Sequence, residues 1–456
     1  MPAATAFPMP LGLVVVVAGA TLASFFVLNP GIMSFDSLGV WGMSETMRMN
    51  DANPPAYTIL LRVLRHLWNS PGVMVLFNVT VLGFGTLLLA EIVRRRNPIG
   101  GYLVPCIFLL PFVANFLGVL WKDTAMGVCW WTAAAIALFV FDSRANSGAL
   151  GRGLLMAVSY LLFYFGLLVR HNAVTAAPFL LFAIVSLHCG RQLTRGLSVT
   201  LFLACCIVSI VSLLAGNMAI EKTFSVTRSG LFSVIPIYDL AGITKNTGEN
   251  AFPVSFSEPE VKKISECYRA NDWNVYDSEC KFVVDAIIKQ EFWGSSKLTR
   301  WWLSMIVQHP IAYALHRGTV FNSFLRIGYD KPYYILHQGI DENQYGLTHP
   351  ENGLFRWYKS YILYFENFPF YRPWFWLLLS LAGLGLSFWR SGVVPLAGAS
   401  IAASGAAYIL TYAIAGLASD FRYAYWSVLS VVLITLLLPL LNNQRGISVG
   451  QLRHSS

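Results

Sequence analysis

Charged side chains are scarce in this sequence. They make up 12% of 456 residues, about half the 25% usual for a soluble domain. With 56% hydrophobic residues and a mean hydropathy of +0.57, the composition argues against a water-soluble fold. The chain has no CxxC pair and no His/Cys cluster at zinc-ligand spacing. No cofactor is required, and a divalent metal finds no support in ligand spacing. His309, His316, His337 and His349 are scattered and fit no metal motif. There is no internal repeat and no low-complexity tract. Acids are outnumbered, 23 to 32, giving a net charge of +9. That excess reads as membrane topology, because basic residues in short cytoplasmic loops set orientation. No nucleic-acid partner is expected.

What is present is long apolar runs. A helix needs about 20 apolar residues to cross the hydrocarbon, and ten runs qualify, at about 9–29, 72–93, 98–119, 124–141, 153–169, 173–188, 197–217, 372–389, 393–416 and 424–441. The expected fold is an all-α polytopic membrane protein of about ten transmembrane helices. Extracytoplasmic interfacial helices and one long extracytoplasmic insertion complete it. The first run lacks a basic n-region and an A-x-A site, so it reads as a retained span. A cytoplasmic N-terminus puts Arg94, Arg95, Arg96, Arg144, Arg152, Arg191, Arg195 and Arg390 in inner connections. Arg445 and Arg453 fall in a cytoplasmic tail, and Asp142 is the lone acid among them. That is a positive-inside pattern. It divides the chain into an N-terminal transmembrane module (1–217), an extracytoplasmic region (218–371) and C-terminal helices with the tail (372–456).

With this orientation every polar constellation falls on the outer side. Asp36 follows the first span, where partial desolvation is expected to raise its basicity and suit it to act as a general base; the alternative is a helix cap. Asp51-Ala52-Asn53-Pro54-Pro55 opens a segment with apolar residues at Ile59, Leu60, Val63, Leu64 and Leu67, spaced for an amphipathic surface helix. Its Arg62, Arg65 and His66 fall on the other face, and Asp51 is expected to share a vestibule with Asp36. Lys122-Asp123 occupies a short outer turn, as an interfacial anchor beside Trp121 or as a phosphate site. Arg170-His171-Asn172 and Asp420-Phe421-Arg422-Tyr423 set arginines where topology disfavours them, through snorkelling, bracing of a turn, or a bound anion. Residues 300–327 read as two interfacial helices kinked at Pro310, with Trp301 and Trp302 as headgroup anchors. The polar stretch 245–290 reads as a small folded insertion, and its Cys267 and Cys280 are a candidate disulfide if it is extracytoplasmic. The other five cysteines lie in or beside apolar runs and read as packing residues.

In order and topology these motifs resemble the multi-spanning, type C glycosyltransferases, related to protein O-mannosyltransferases and the aminoarabinose transferases of lipid A. The resemblance rests on FDS at Phe35–Ser37, DANPPAYT at Asp51–Thr58, WKD at Trp121–Asp123, RHN at Arg170–Asn172 and DFRY at Asp420–Tyr423. It departs where a His often precedes the prolines, here Asn53, and where an Asp-Glu pair is common, here Asp36-Ser37. The resemblance implies transfer of a sugar from a polyprenyl-phosphate carrier to a glycolipid, polysaccharide or protein acceptor. Asp36 would be the base, with Asp51 beside it, and Lys122, Arg170 and Arg422 would hold the donor phosphate. Asn53, Asp123, His171, Asn172, Asp420 and Tyr423 would support them. Membrane lipids would surround an enzyme of a bacterial inner (plasma) membrane, with both termini cytoplasmic and the active site on the periplasmic face. Two other classes stay open. One is an O-antigen polymerase or ligase using a pyrophosphate-linked glycan. The other is a transporter or flippase, which would place its charges near the bilayer midplane.

Overall fold

The computed structural model describes residues 9–143, 148–388 and 390–442. Arg144, Arg445 and Arg453 lie outside the described residues. Within them the chain is all-helical, with four isolated bridges and no strand. The helices are α1 (Leu11–Leu28), α2 (Phe35–Thr46), α3 (Pro55–Leu67), α4 (Gly72–Arg94), α5 (Pro98–Leu103), α6 (Pro111–Leu117), α7 (Lys122–Asp142), α8 (Ala149–Leu168), α9 (Ala177–Cys189) and α10 (Arg195–Phe224). They continue as α11 (Val234–Thr247), α12 (Glu258–Cys267), α13 (Phe282–Lys289), α14 (Ser296–Gln308), α15 (Pro310–Leu325), α16 (Gly353–Tyr364), α17 (Pro373–Phe388), α18 (Val393–Leu410), α19 (Tyr412–Ala415) and α20 (Tyr425–Asn442).

Six helices are long and apolar enough to cross a membrane: α1, α4, α7, α8, α10 and the α18–α19 run. A seventh is bent by 54°, between Pro98–Leu109 and Pro111–Leu117. Pro111 cannot continue the preceding hydrogen-bond ladder, and its ring disfavours helical backbone at Leu110. The other three expected spans appear as shorter apolar helices, at α9, α17 and α20. A 13-residue helix such as α9 covers about 20 Å, short of the 30 Å hydrocarbon. An apolar run therefore overstated helix length wherever a 3₁₀ turn or proline shortened it, as at His171–Thr175 before α9.

The bundle is built around α7, almost every side chain of which is buried. Its run of alanines from Ala133 to Ala135 lets neighbouring helices approach closely, as small residues do in lipid-embedded interfaces. Across these contacts Thr132 donates to the Val81 carbonyl at 2.6 Å, Ser159 to Ala133 at 2.7 Å and the Trp130 indole to Phe163 at 3.0 Å. At Gly85 of α4, a Cβ would lie 2.7 Å from the Thr132 hydroxyl and 2.8 Å from the Trp131 ring. By contrast α1 and α10 bury few residues, and their exposed Leu, Val, Ile and Phe side chains suit a lipid solvent.

Residues of α11–α15 form a second core, including Ile237, Leu240, Ile264, Tyr276, Val283 and Ile287. Cys267 and Cys280 are bonded to each other, with Cα atoms 6.4 Å apart, as expected for a folded insertion. α12 starts with a reciprocal capping box between Ser257 and Glu260. The chain breaks between α14 and α15 at Pro310, as expected. Trp302 is not a free headgroup anchor. Its indole donates at 2.8 Å to the fully buried Asp239, which needs donors to offset its desolvation. Asp239 also receives His316 Nε2 at 2.9 Å and Arg317 Nη2 at 2.6 Å. Trp301 donates to the Ala251 carbonyl at 2.8 Å. α3 also differs from a simple surface helix. Tyr57 and Leu61 are buried, while Val63 and Leu67 are exposed. Arg62 and Arg65 donate to the carbonyls of Trp41, Ser44 and Glu45 at the end of α2, so its basic face is spent on the last turn of its neighbour.

The disulfide closes a short loop inside a small core. Replacing Cys267 and Cys280 by serine should lower stability by about 3 kcal/mol. Limited proteolysis of the purified protein should then cut first within residues 250–290. Unchanged resistance would show that the core of α11–α15 holds without the bond.

Candidate functional site

The loops that join the helices at the Asp36 end are stitched to one another by backbone bridges. Ile32 pairs with Val119, Met33 with Ile340, Asn50 with Thr227 and Asp272 with Ala418. Each bridge joins segments far apart in sequence, so the side chains between them are held without a sheet.

Asp36 sits in the first turn of α2, where the helix N-terminus favours a carboxylate. It is not the cap. Ser34 holds that position, and the Phe35 N–H is taken by Asp341 Oδ2 at 2.8 Å. Asp36 Oδ2 lies 3.1 Å from Arg422 Nη2, and its side chain is half exposed. Burial pushes the carboxyl up, but Arg422, Lys122 and Arg170 outweigh burial and hold it below the usual carboxylate range. This reverses the expectation of raised basicity in the resting protein.

Arg422 is enclosed. Its Nε lies 3.0 Å from Asp420 Oδ2, its Nη2 donates to the Tyr423 hydroxyl at 3.1 Å, and its guanidinium lies 4.4 Å from the centre of the Trp121 ring. A flat, delocalised guanidinium stacks on aromatic faces more readily than an ammonium. Burial pushes the Asp420 carboxyl up to about 6, with Arg422 opposing the shift.

Arg170 repeats the arrangement one ring away. Its Nε lies 2.9 Å from Asp123 Oδ1, and Nη2 donates to the Tyr412 hydroxyl at 3.3 Å. Asn172 donates to the same hydroxyl at 3.4 Å, and Tyr408 donates to Asp123 at 3.4 Å. Arg170 and Arg422 lie 5.1 and 5.0 Å from the Tyr423 ring centre, so one tyrosine spaces two guanidiniums. Lys122 differs from both. Its Nζ donates to Asn53 Oδ1 at 2.7 Å, and among the described residues no carboxylate lies within ion-pair distance of it. An ammonium has three donors, and Lys122 keeps two of them while being, of these three cations, the one without a carboxylate partner among the described residues.

Asp51 does other work. Its Oδ1 accepts from the Ser229 N–H at 2.6 Å and the Ser229 hydroxyl at 2.5 Å, fastening the Asn50–Pro54 turn to the segment after α10. That turn carries Asn53 onto Lys122. His171 is exposed at the rim. Asp36, Asn53, Lys122, Asp123, Arg170, Asn172, Asp420, Arg422 and Tyr423 are thus brought together, while Cys267 and Cys280 lie in the second core. Among the described residues no group of three or more His, Cys, Asp or Glu is arranged to hold a metal ion.

Three site residues escaped sequence reasoning. Tyr334 stacks on Trp121 at 5.9 Å and bonds His337 Nδ1 at 2.5 Å. His337 Nε2 lies 3.1 Å from the Met33 carbonyl and 3.2 Å from Asp341. This chain ends on the N–H next to Asp36. Tyr334 adopts a left-handed backbone, φ 52°, uncommon for a bulky residue and held there by its contacts with Trp121 and His337. The only signal in the sequence was aromatic density around 329–341.

Asp123 and Arg170 are both largely buried, so removing one strands the other. Arg170→Ala should destabilise the protein by about 3–5 kcal/mol. The Asp123→Ala/Arg170→Ala double variant should recover part of that loss in thermal unfolding, whereas strictly additive losses would contradict coupling.

No protein-family model, no curated protein and no solved structure matches this chain.

Proposed function

We propose that this chain is a membrane glycosyltransferase that moves a sugar from a polyprenyl-phosphate carrier to an extracytoplasmic acceptor. The observation that carries the reading is the convergence of a half-exposed Asp36 with Lys122, Arg170 and Arg422 in one aromatic-walled cluster. A transporter reading expects charges on broken helices at mid-membrane; here they gather at helix ends.

In this reading the phosphate of the donor takes up the donors of Lys122 and part of those of Arg422. The acceptor hydroxyl attacks the anomeric carbon. Its proton passes to Asp36, the bond from that carbon to the phosphate oxygen breaks, and polyprenyl phosphate leaves with the electron pair, its charge held by the cations. Donor binding also solves the problem of a weak base. An anion beside Arg422 offsets the charge that depresses Asp36, and the carboxylate gains basicity only when substrate is present.

We read the topology as ten passes, formed by the six long helices, the bent pair and the three shorter apolar helices. The N-terminus is cytoplasmic and the Asp36 end faces the periplasm of a bacterial inner membrane. The Cys267–Cys280 bond supports an oxidising compartment for residues 218–371. The basic run Arg94–Arg96 at the far end supports a cytoplasmic side. Residues 1–217 then supply most of the site, 218–371 fasten its outer wall, and 372–456 contribute Asp420–Tyr423. The acceptor is a glycolipid, a surface polysaccharide or a protein.

Asp36→Asn should leave membrane insertion intact and reduce transfer about 10²–10⁴-fold. Mass spectrometry of cell-surface glycolipids and glycans from strains carrying the wild type or this variant reads the outcome, and full product from the variant would remove Asp36 as the base. Activity needs ionised Asp36, so it is lost as pH falls through the carboxyl pKa. The acid limb of kcat/KM reports the free enzyme and should lie below the ordinary carboxylate range, while the limb of kcat reports the donor complex and should lie at higher pH. Coincident limbs would show that the donor does not relieve Arg422.

A further inference from the structure

The 54° bend between Pro98–Leu109 and Pro111–Leu117 leaves space beside α17 and α20. The space is a cavity of about 610 Å³, lined along its length by Ile107, Phe112, Trp376, Leu379, Val432 and Leu436. One end is aromatic, where Phe112 meets Phe370 at 5.0 Å and Trp376 at 4.9 Å. Arg96 and Asn97 supply polar groups to its lining.

That polar lining lies at the opposite end of α7 from Lys122. The helix has 21 residues, so the two ends are about 30 Å apart. Arg96 belongs to a cluster in which Glu91 receives Arg94 at 2.8 Å and Arg95 at 2.9 Å, while Asp142 receives Arg95 at 3.0 Å and Arg96 at 2.7 Å. Among the described residues of that cluster three guanidiniums face two carboxylates, leaving one positive charge uncompensated. Arg96 retains 35% exposure, and it lines the cavity.

An apolar groove with Arg96, a member of this net-positive cluster, on its lining fits an amphiphile with a single negative charge. At about 30 Å³ for each water-sized group, the cavity takes on the order of twenty such groups, room enough for one lipid chain. We propose that this groove is a binding site for an anionic phospholipid of the leaflet opposite Asp36. One chain lies along α20, and the phosphate sits at Arg96 and Asn97. The proposal does not depend on the transferase reading. Its ligand enters from the other leaflet and meets none of the residues around Asp36.

The test uses full-length protein in nanodiscs of equal phosphatidylglycerol and phosphatidylethanolamine with matched chains. Native mass spectrometry then identifies the lipid retained after mild delipidation. The wild type should retain one phosphatidylglycerol, at least fivefold over phosphatidylethanolamine. Arg96→Gln should bring that ratio close to one, and Arg96→Lys should keep most of it. Val432→Trp, which fills the channel, should reduce retention of both lipids. Each variant is checked by its elution profile, and one that no longer elutes as a single species is replaced by Leu436→Trp for the channel or Asn97→Ala for the polar lining. Equal retention of both lipids by the wild type overturns the proposal. So does a ratio unchanged in Arg96→Gln, or displacement of the bound lipid by added polyprenyl phosphate in a manner indifferent to residue 96.

Discussion

Arg422 holds the Asp36 end of this molecule together. Its guanidinium reaches Asp420 and lies over Trp121, and it also reaches Asp36, 386 positions away. A cation so enclosed is tolerable only while its carboxylates stay in place, and the surrounding loops are built to keep them there. Asp341 takes the first N–H of α2, which orients Asp36. The segment before Asp420 is clamped from the side. Arg317 donates to the Gly416 carbonyl at 2.8 Å, Ser419 donates its N–H to Asn271 at 3.0 Å, and the Phe421 N–H reaches Tyr333 at 3.1 Å. Arg317 is itself held by buried Asp239. The second core therefore sets the position of Asp420 and Arg422 while touching neither directly through its own buried triad.

The same cations create a tension between binding and basicity. A cluster able to attract a phosphate depresses a nearby carboxylate in its absence. A half-exposed Asp36 paired to Arg422 is in that state. Lys122, whose one side-chain partner among the described residues is Asn53, has no carboxylate to compete with an incoming anion. Binding an anion thus changes two properties of the site together, its charge and the proton affinity of its base.

Much of this was legible in the sequence, for identifiable reasons. Arg170 and Arg422 stood out because the expected orientation set them on the side that topology disfavours, and both are ion-paired in the cluster. Pro310 broke a helix as expected because its effect is local, whereas the bend at Pro111 inside the apolar run 98–119 was hidden by the run's even hydropathy. Cys267 and Cys280 stood together in the one polar stretch. The other failures were non-local. Asp341 reaches Phe35 across 306 positions, and no periodicity encodes such a pairing. Trp302 resembled an anchor until buried Asp239 took its N–H. Arg62 and Arg65 resembled a wet face until they were found against the end of α2. The basicity of Asp36 was misjudged because burial was weighed without the three cations that oppose it.

We propose that the Asp36 cluster recognises a lipid phosphate, with Asp36 competing for the same cations. The direct measurement is the affinity of purified protein for polyprenyl phosphate, compared across wild type, Lys122→Gln, Arg422→Gln and Asp36→Asn. Charged hydrogen bonds of this kind contribute about 1.5–3 kcal/mol each, so losing Lys122 or Arg422 should weaken binding at least tenfold. Removing the competing charge at Asp36 should tighten it. Equal affinity in all four proteins would contradict the account.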